Sequence, residues 1–202
     1  MSPRRSAAAA AQTRERLVGQ ATAMASVEGL EGMSIGRLAE AAGVSKSGVT
    51  RHFPSKEALQ LEALRHALDL FAEAVWAPAA AQPRGLQRLL AVCDAWCAYL
   101  AGDLFPGGCF VTAASAELDG REGPVRDELA AALEGWLRLL AGEARAAVQA
   151  GELRGDTDAR ALVHEIYGLA LAANQARQLL RDEAAPERSR ALMRRALLAA
   201  RP

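Results

Sequence analysis

Apolar residues recur every three or four positions along most of the chain, and this spacing predicts a protein built from α-helices. Short stretches that contain glycine or proline separate the periodic segments, and residues of these types end helices. The pattern predicts about nine helices, at residues 13–27, two within 34–53, and then at 55–76, 85–101, 109–118, 124–150, 157–180 and 186–200. We therefore expect an all-α fold.

Residues 33–56 have the spacing of two short helices joined by a tight turn. Ser34 and Ser45 are placed to cap the two helices, because a serine in this position accepts a hydrogen bond from a free backbone N–H. Ala39 provides the small side chain needed where two helices cross steeply, and Gly43 tolerates the positive φ of the turn. With the helix predicted before them, these helices make a three-helix head of the helix-turn-helix type.

Polar residues cover the outer face of the second of these short helices and continue into the next helix. Lysine and arginine can bind phosphates or guanine edges, and serine and threonine hydroxyls can bond to either, as a helix in the major groove of DNA requires. A bound phosphate would also explain Lys56, a cation next to the positive end of a helix dipole. The candidate DNA-binding residues are Ser34, Arg37, Ser45, Lys46, Ser47, Thr50, Arg51, His52 and Lys56. The spacing alone leaves open a small helical bundle whose charges are merely solvated.

The segment SIGRLAEAAGVSKSGVTRHFPSKEAL resembles the DNA-binding signature of the tetracycline-repressor (TetR) family of bacterial transcription regulators. The resemblance covers residues 13–64, and His52, Phe53 and Lys56 match the family pattern directly. Thr50 departs from it, because this position in the family is most often a tyrosine or phenylalanine that touches the DNA backbone. The resemblance implies an all-helical dimer with a C-terminal effector domain that releases DNA when a ligand binds.

The helix predicted at residues 55–76 carries two apolar stripes, so we expect it to be buried on two sides, between the head and the rest of the chain. A displacement of its C-terminal half would then move the head. The expected domains are residues 1–60, which bind DNA, and residues 61–202, which bind a ligand and a second copy of the chain.

A heptad spacing runs through residues 162–180, from Leu162 through Ile166 to Leu180, and this spacing favours association between helices. In the TetR family the last two helices form a four-helix interface with their symmetry mates. We therefore expect a homodimer through residues 162–180 and 187–200. Packing inside one chain is the alternative explanation of the same spacing.

Charge is unevenly distributed along a chain whose net charge is zero. Residues 1–60 contain eight Lys or Arg and five Asp or Glu, so the head is positive and the remainder is negative by the same amount. This distribution suits a head that approaches phosphates. Residues 2–12 are expected to be a disordered arm in which Arg4 and Arg5 could reach a minor groove or phosphates, although the alanines there could equally extend the first helix.

Several classes of function are not expected. The chain has no apolar run long enough to cross a membrane and no convincing signal peptide. Its three cysteines, an odd number, argue against a disulfide framework and fit a cytoplasmic location. The three histidines are scattered without metal-ligand spacing, and we find neither a catalytic cluster nor a glycine-rich phosphate loop. We therefore expect no enzyme activity, no metal and no cofactor.

Aromatic residues of the predicted C-terminal domain are candidates for an effector pocket, because such pockets combine aromatic walls with a few polar groups. The candidate effector-binding residues are Trp96, Tyr99, Phe110, Trp136, Tyr167 and Asn174. Filling of the core is the alternative role of these aromatics. Cys109 begins a predicted helix, whose dipole would lower the pKa of the thiol and make it reactive. Cys93 and Cys97 are expected to be small buried apolar residues.

These features together predict a ligand-responsive DNA-binding transcription regulator. We expect a repressor that binds a palindromic operator as a homodimer and is released by a small apolar or aromatic effector. One alternative is a regulator that senses oxidants or electrophiles through Cys109. Two others are a helical ligand-binding protein or enzyme without specific DNA recognition, and a structural DNA-binding protein without an effector.

Overall fold

The computed structural model describes the backbone of residues 3–202 and the side chains from Ala8 onwards. Within these residues it contains α-helices, one π-helical turn and no β-strand, which confirms the all-α prediction. The elements are α1 (Pro3–Gly32), α2 (Ile35–Ala42), α3 (Lys46–Thr50), α4 (Lys56–Phe71), the π turn (Ala72–Trp76), α5 (Ala77–Ala80), α6 (Leu86–Ala101), α7 (Phe110–Leu118), α8 (Pro124–Gln149), α9 (Ala159–Leu180) and α10 (Ala185–Ala199).

The chain forms two compact units, and each unit combines two separate stretches of sequence. The first unit consists of residues up to Leu68 together with Phe105–Leu129, and the second consists of Asp69–Leu104 together with Ala130–Pro202. The chain passes from one unit to the other three times, within α4, in the loop between α6 and α7, and within α8. Helix α7 therefore belongs with the N-terminal helices, although it lies far from them in sequence.

The core of the first unit is built from the apolar faces of α1 to α4. Leu17, Leu38, Val49, Phe53 and Leu64 are each at most 1 % exposed. Burial of one such side chain contributes about 1.5–3 kcal/mol, so these contacts hold the short helices α2 and α3 in place.

The beginning of α1 differs from the main expectation. Residues from Pro3 onwards are helical, so the prediction of a disordered arm is wrong for them and the alternative of a longer first helix is right. Five consecutive alanines, Ala7–Ala11, explain this, because alanine has the strongest helix propensity of any residue. The side chains of Arg4 and Arg5 lie outside the described residues.

The chain after α4 also differs from prediction. The predicted helix ends at residue 76, but the chain continues through the π turn into α5, which contains Pro78 and ends at Ala80. A proline disturbs the hydrogen bonds of the preceding helical turn. The π turn ends at Trp76, two residues before Pro78, and the helix continues through the proline.

The core of the second unit is formed mainly by α6, α9 and α10, which pack against one another. Leu162, Ile166 and Ala173 of the heptad spacing are buried, whereas Leu180 is 71 % exposed. The first half of that spacing therefore serves packing inside the chain. Helix α9 is capped by Asp158, whose carboxylate accepts hydrogen bonds from the first turn.

No helix in the described part of the chain combines the length and the apolar character that crossing a lipid bilayer requires.

Candidate nucleic-acid interface and ligand site

The turn between α2 and α3 has the geometry that the sequence predicts. Ser34 Oγ accepts a hydrogen bond from the backbone N–H of Arg37 at 3.1 Å, and Ser45 Oγ accepts one from Gly48 at 3.1 Å. Gly43 has a φ of 66°, in the left-handed region that glycine adopts readily. The two caps and the turn fix the direction in which α3 leaves the core.

The outer face of α3 consists of exposed polar side chains. Lys46, Ser47, Thr50 and Arg51 are exposed, and His52 directly after them is half-buried. Among the described residues, neither Lys46 nor Arg51 has an ion-pair partner, so both cations are available to an external anion. The Thr50 hydroxyl donates to the backbone oxygen of Lys46 at 3.2 Å, and its side chain is exposed.

Two other candidate cations are paired within the protein. Arg37 forms a two-pronged ion pair with Glu28 of α1, with one N–O distance of 2.6 Å. Lys56 Nζ donates to the backbone oxygen of Glu31 at 2.7 Å and to its carboxylate at 3.1 Å. Glu31 is therefore a partner within the chain for Lys56, whose position next to the dipole of α4 the sequence did not explain.

Glu31 lies at the centre of a polar network that the sequence analysis missed. Its carboxylate accepts a second hydrogen bond, at 3.1 Å, from Gln60 Nε2, and Arg121 approaches it to 3.7 Å. The hydrogen bonds from Lys56 and then from Gln60 lower the pKa of Glu31, so this group stays charged at neutral pH.

The backbone at Glu31 is held by a residue from α7. Gly29 interrupts α1 with a φ of 79°, and the interruption frees the backbone N–H groups of Leu30 and Glu31. The carboxylate of Glu117 accepts from both, at 2.8 Å and 2.7 Å. The end of the first predicted helix at residue 27, just before Gly29, was the only sequence signal of this arrangement, because Glu117 lies 86 residues or more away along the chain.

The aromatic residues of the second unit form a cluster around Phe71. The ring of Phe71 is met edge-on by Trp96 at 5.8 Å and by Tyr99 and Trp136 at 5.3 Å between centroids. Tyr167 packs on Trp96 at 6.3 Å. Edge-to-face geometry at these distances is favourable for aromatic pairs. The cluster therefore joins four of the candidate effector-binding residues.

Two members of the aromatic cluster were not predicted. Phe71 lies directly before the π turn and Trp76 is its last residue, and the ring of Trp76 meets that of Trp136 at 6.2 Å between centroids. Both lay at apolar positions of the predicted long helix, but sequence spacing cannot show which helices they meet. The indole nitrogen of Trp136 is buried and has no hydrogen-bond partner among the described residues.

The remaining candidate effector residues are placed differently. Phe110 lies in the first unit, where it packs on Phe105 at 5.8 Å between ring centroids, so it is not part of the aromatic cluster. Asn174 is buried on α9. A surface groove of about 780 Å³ runs between α8 and α9 and is lined in part by Tyr167, a member of the cluster.

All three cysteines are buried thiols. Cys109 immediately precedes α7 and is 5 % exposed. Burial raises the pKa of Cys97 to about 11 and shifts that of Cys93 in the same direction. A reactive cysteine is a partly exposed thiolate, so these environments do not favour sensing at any of the three. Within the described residues, no cluster of His, Cys, Asp and Glu is suited to hold a metal ion.

Two family models match the chain. The model described as bacterial regulatory proteins, tetR family, matches residues 17–63, and the model described as tetracyclin repressor-like, C-terminal domain, matches residues 85–193. The two matches coincide with the helix-turn-helix and with most of the region that contains the aromatic cluster. A search of curated proteins finds no match.

Solved structures share the fold over nearly the whole chain. A TetR transcriptional regulator from Chloroflexus aurantiacus is 26 % identical with a TM-score of 0.85, and the alignment covers 92 % of this chain and 94 % of that one. AibR, solved with isovaleryl coenzyme A and operator DNA, is 20 % identical with a TM-score of 0.72 and coverages of 90 % and 97 %. A regulator described as putative from Saccharomonospora viridis, solved with choline, is 21 % identical with a TM-score of 0.77 and coverages of 91 % and 94 %.

Proposed function

Because the chain belongs to the TetR family of bacterial transcription regulators, we propose that it is a ligand-responsive repressor that binds a palindromic operator as a homodimer in the cytoplasm. The observation that carries the proposal is the outer face of α3, where exposed Lys46 and Arg51 stand on a capped helix-turn-helix without partners of their own among the described residues. An anionic duplex supplies the partners that this face lacks.

The DNA contacts divide into two kinds. On α3 and at the residue that ends it, Lys46, Ser47, Thr50 and Arg51 face the major groove and contact base edges or nearby phosphates. Around them, the remaining candidates contact the phosphate backbone and fix the register of the head. These remaining candidates are Ser34, Arg37, Ser45, His52 and Lys56.

The proposed homodimer uses the exposed faces of α9 and α10. Exposed residues on α9 recur with steps of four and three, at Ala161, Glu165, Gly168, Ala172, Gln175 and Leu179. Small residues at this spacing allow a partner helix to approach closely, and Leu179 together with Leu198 of α10 adds exposed apolar surface. A twofold-symmetric pair of heads then matches two half-sites about one helical turn of DNA apart.

The proposed effector site is the aromatic cluster, with a small apolar or aromatic organic molecule as its ligand. The structures of AibR with isovaleryl coenzyme A and of the Saccharomonospora viridis regulator with choline support a small organic effector for this fold. The unpaired indole N–H of Trp136 offers such a ligand a hydrogen-bond donor. We leave Phe110 out of the proposed site because it packs in the other unit.

Helix α4 provides the route by which the effector acts. It begins at Lys56 and ends at Phe71, so one helix contains both a proposed phosphate contact and the central ring of the cluster. An effector that displaces Phe71 therefore acts on the helix that carries Lys56. To weaken DNA binding a hundredfold, it must favour the non-binding state by about 2.7 kcal/mol.

The proposal is tested with duplexes taken from the region upstream of the protein's own gene. Fluorescence anisotropy compares an inverted repeat from this region with a scrambled duplex of the same composition. We expect the repeat to bind about a thousandfold more tightly or better, as specific DNA-binding proteins do. Equal affinity for the two duplexes would instead support a structural DNA-binding protein, and binding to neither would overturn the proposal.

The effector part is tested by intrinsic fluorescence. All three tryptophans of the chain, Trp76, Trp96 and Trp136, lie in the aromatic cluster, so a ligand that enters the cluster changes their emission. Choline and isovaleryl coenzyme A are the first compounds to titrate. A ligand that releases the operator without changing tryptophan emission would show that the effector binds elsewhere.

A further inference from the structure

The contact with Glu31 occupies the ammonium group of Lys56, which the proposed function assigns to a DNA phosphate. An ammonium group has three donors, and Glu31 takes two of them with its backbone oxygen and its carboxylate. The side chains of Lys56 and Glu31 are 41 % and 44 % exposed, so an approaching phosphate can reach the pair. A phosphate at the start of α4 must therefore share the ammonium with a carboxylate or replace it.

Glu31 is fixed in this position from three sides. Glu117 binds its backbone N–H at 2.7 Å, Gln60 binds its carboxylate at 3.1 Å, and Arg121 lies 3.7 Å from the same carboxylate. Gln60 is buried, and its amide also donates to the backbone oxygen of Leu30 at 2.9 Å. The carboxylate thus cannot move away from Lys56 without breaking hydrogen bonds.

The Lys56–Glu31 ion pair is weak enough to be exchanged for a contact between Lys56 and a DNA phosphate. An exposed ion pair is weak in water, whereas a phosphate at the start of α4 would be held by both the lysine and the helix N-terminus. The pair can therefore open when DNA arrives, but its opening reduces the affinity that Lys56 contributes.

We propose that Glu31 is an intramolecular competitor of the DNA phosphate for Lys56, held in place by Glu117. This inference rests on the proposed DNA contact of Lys56. In this proposal Glu31 and Glu117 are positioning residues. They set how strongly the head binds the DNA backbone and do not touch DNA themselves. Because α7 carries Glu117, a displacement of α7 moves the backbone of Glu31 and so alters how strongly Lys56 binds the DNA phosphate.

The test removes the negative charge of Glu31 and measures sequence-independent binding. The full-length Glu31→Gln protein is titrated against a fluorescein-labelled duplex of random sequence over a range of salt concentrations. We expect its affinity to rise about two- to fivefold at low salt, as the loss of a competing exposed ion pair implies. We also expect the salt dependence to steepen by up to about one per head, because Lys56 then displaces a full counterion.

A double-mutant cycle separates competition from a general loss of negative charge. The Glu31→Gln change is repeated in a Lys56→Ala background, where we expect the gain in affinity to vanish. Glu15→Gln on α1 is the matched control, since it removes one exposed acidic charge from the same unit. An unchanged or weaker affinity in Glu31→Gln, or a gain that persists without Lys56, overturns the inference.

Glu117→Gln provides a second variant with its own readout. It keeps the shape of the side chain but weakens the hold on Glu31, so we expect a smaller gain than for Glu31→Gln and no further gain when the two changes are combined. Circular dichroism verifies that each variant is folded. Because the probe is random duplex, a failure of this inference is distinct from a failure of operator recognition, which leaves random-sequence binding intact.

Discussion

Arg51 and Lys56 are both cations of the head, but they are expected to make different kinds of DNA contact. Arg51 is exposed directly after α3, where a guanidinium can bond to a guanine edge, whereas Lys56 starts α4, where backbone phosphate is the expected partner. Arg51→Ala should cost about 1–3 kcal/mol at one position of the operator and relax the preference for the base there. Lys56→Ala should weaken binding to all sequences by the same factor.

A library of operators with single base changes distinguishes the two variants. Its binding profile should flatten at one position for Arg51→Ala and keep its shape for Lys56→Ala. A profile that changes in shape for Lys56→Ala would show that this residue contacts a base.

Gly29 is the residue at which the backbone departs most from a helix inside α1. A Cβ there would lie 2.8 Å from Glu117 Oε2, and its φ of 79° disfavours any L-residue. We expect Gly29→Ala to lower the free energy of unfolding by about 1–3 kcal/mol, the usual cost of backbone strain. Urea denaturation followed by circular dichroism measures this change.

Gly19 is the matched control for Gly29 in the same helix. A Cβ at Gly19 meets no atom within 4 Å, and its backbone is helical. Gly19→Ala should therefore stabilise the protein by about 0.5–1 kcal/mol, because alanine favours the helix interior. A destabilising Gly19→Ala, or a neutral Gly29→Ala, would contradict the assignment of the break to Gly29.

What the sequence reveals about single residues depends on how far away their partners lie. The caps at Ser34 and Ser45 were predictable because each bonds to a backbone group three residues ahead. Glu31 and Glu117 were not, because α7 and the end of α1 meet only after the chain has folded. Acidic side chains in helices are usually solvated, so the sequence offered no reason to expect a structural role for either residue.

At the scale of elements, α9 shows how one cap can be tested through pH. Asp158 accepts hydrogen bonds from the backbone N–H groups of Arg160 at 2.8 Å and Ala161 at 3.1 Å. The bond from Ala161 and then that from Arg160 lower the pKa of Asp158 below its ordinary value of 3.8. The charged form therefore stabilises the folded protein above that ordinary value, and this contribution is lost as the pH falls through the lowered value.

Asp158→Asn separates this group from the other carboxylates. Asparagine also caps helices well but does not titrate. The thermal midpoint of the natural protein should exceed that of the variant at pH 7, and the difference should disappear as the pH falls through the lowered pKa of Asp158. A difference between the two proteins that is independent of pH would show that charge on Asp158 does not stabilise α9.

The elements themselves were predictable wherever one apolar face recurs without interruption. Helices α6 and α8 follow the predicted bounds because glycine and proline mark their ends. The π turn was not predictable, since the periodicity of residues 55–76 continues through it, and only Pro78 signalled a change. The aromatic cluster was only partly predictable, because spacing identifies apolar rings but not the helices they meet.

At the scale of the whole molecule, the proposed homodimer decides whether two heads can act together. The heptad spacing that suggested it is partly used inside the chain, at Leu162, Ile166 and Ala173. The neighbouring face of α9 remains exposed and has the same spacing with smaller residues. A dimer through this second face is compatible with the buried seam, because the two faces point in different directions around the helix.

A charge placed at the centre of the exposed face tests this dimer directly. Ala172 is exposed between Gly168 and Gln175 on α9, and in a twofold interface Ala172→Glu introduces its charge twice. Like charges brought together in an interface cost several kcal/mol, so we expect the dimer dissociation constant to rise about a hundredfold or more. Operator affinity at nanomolar protein should fall as the dimer dissociates, because a monomer engages only one half-site.

Ala98→Glu, at an exposed position of α6, is the control and should leave both the dimer dissociation constant and the operator affinity unchanged. Sedimentation velocity over a range of concentrations measures the dimer; if Ala172→Glu stays dimeric and the heads still bind a full palindrome, the two copies associate through another surface.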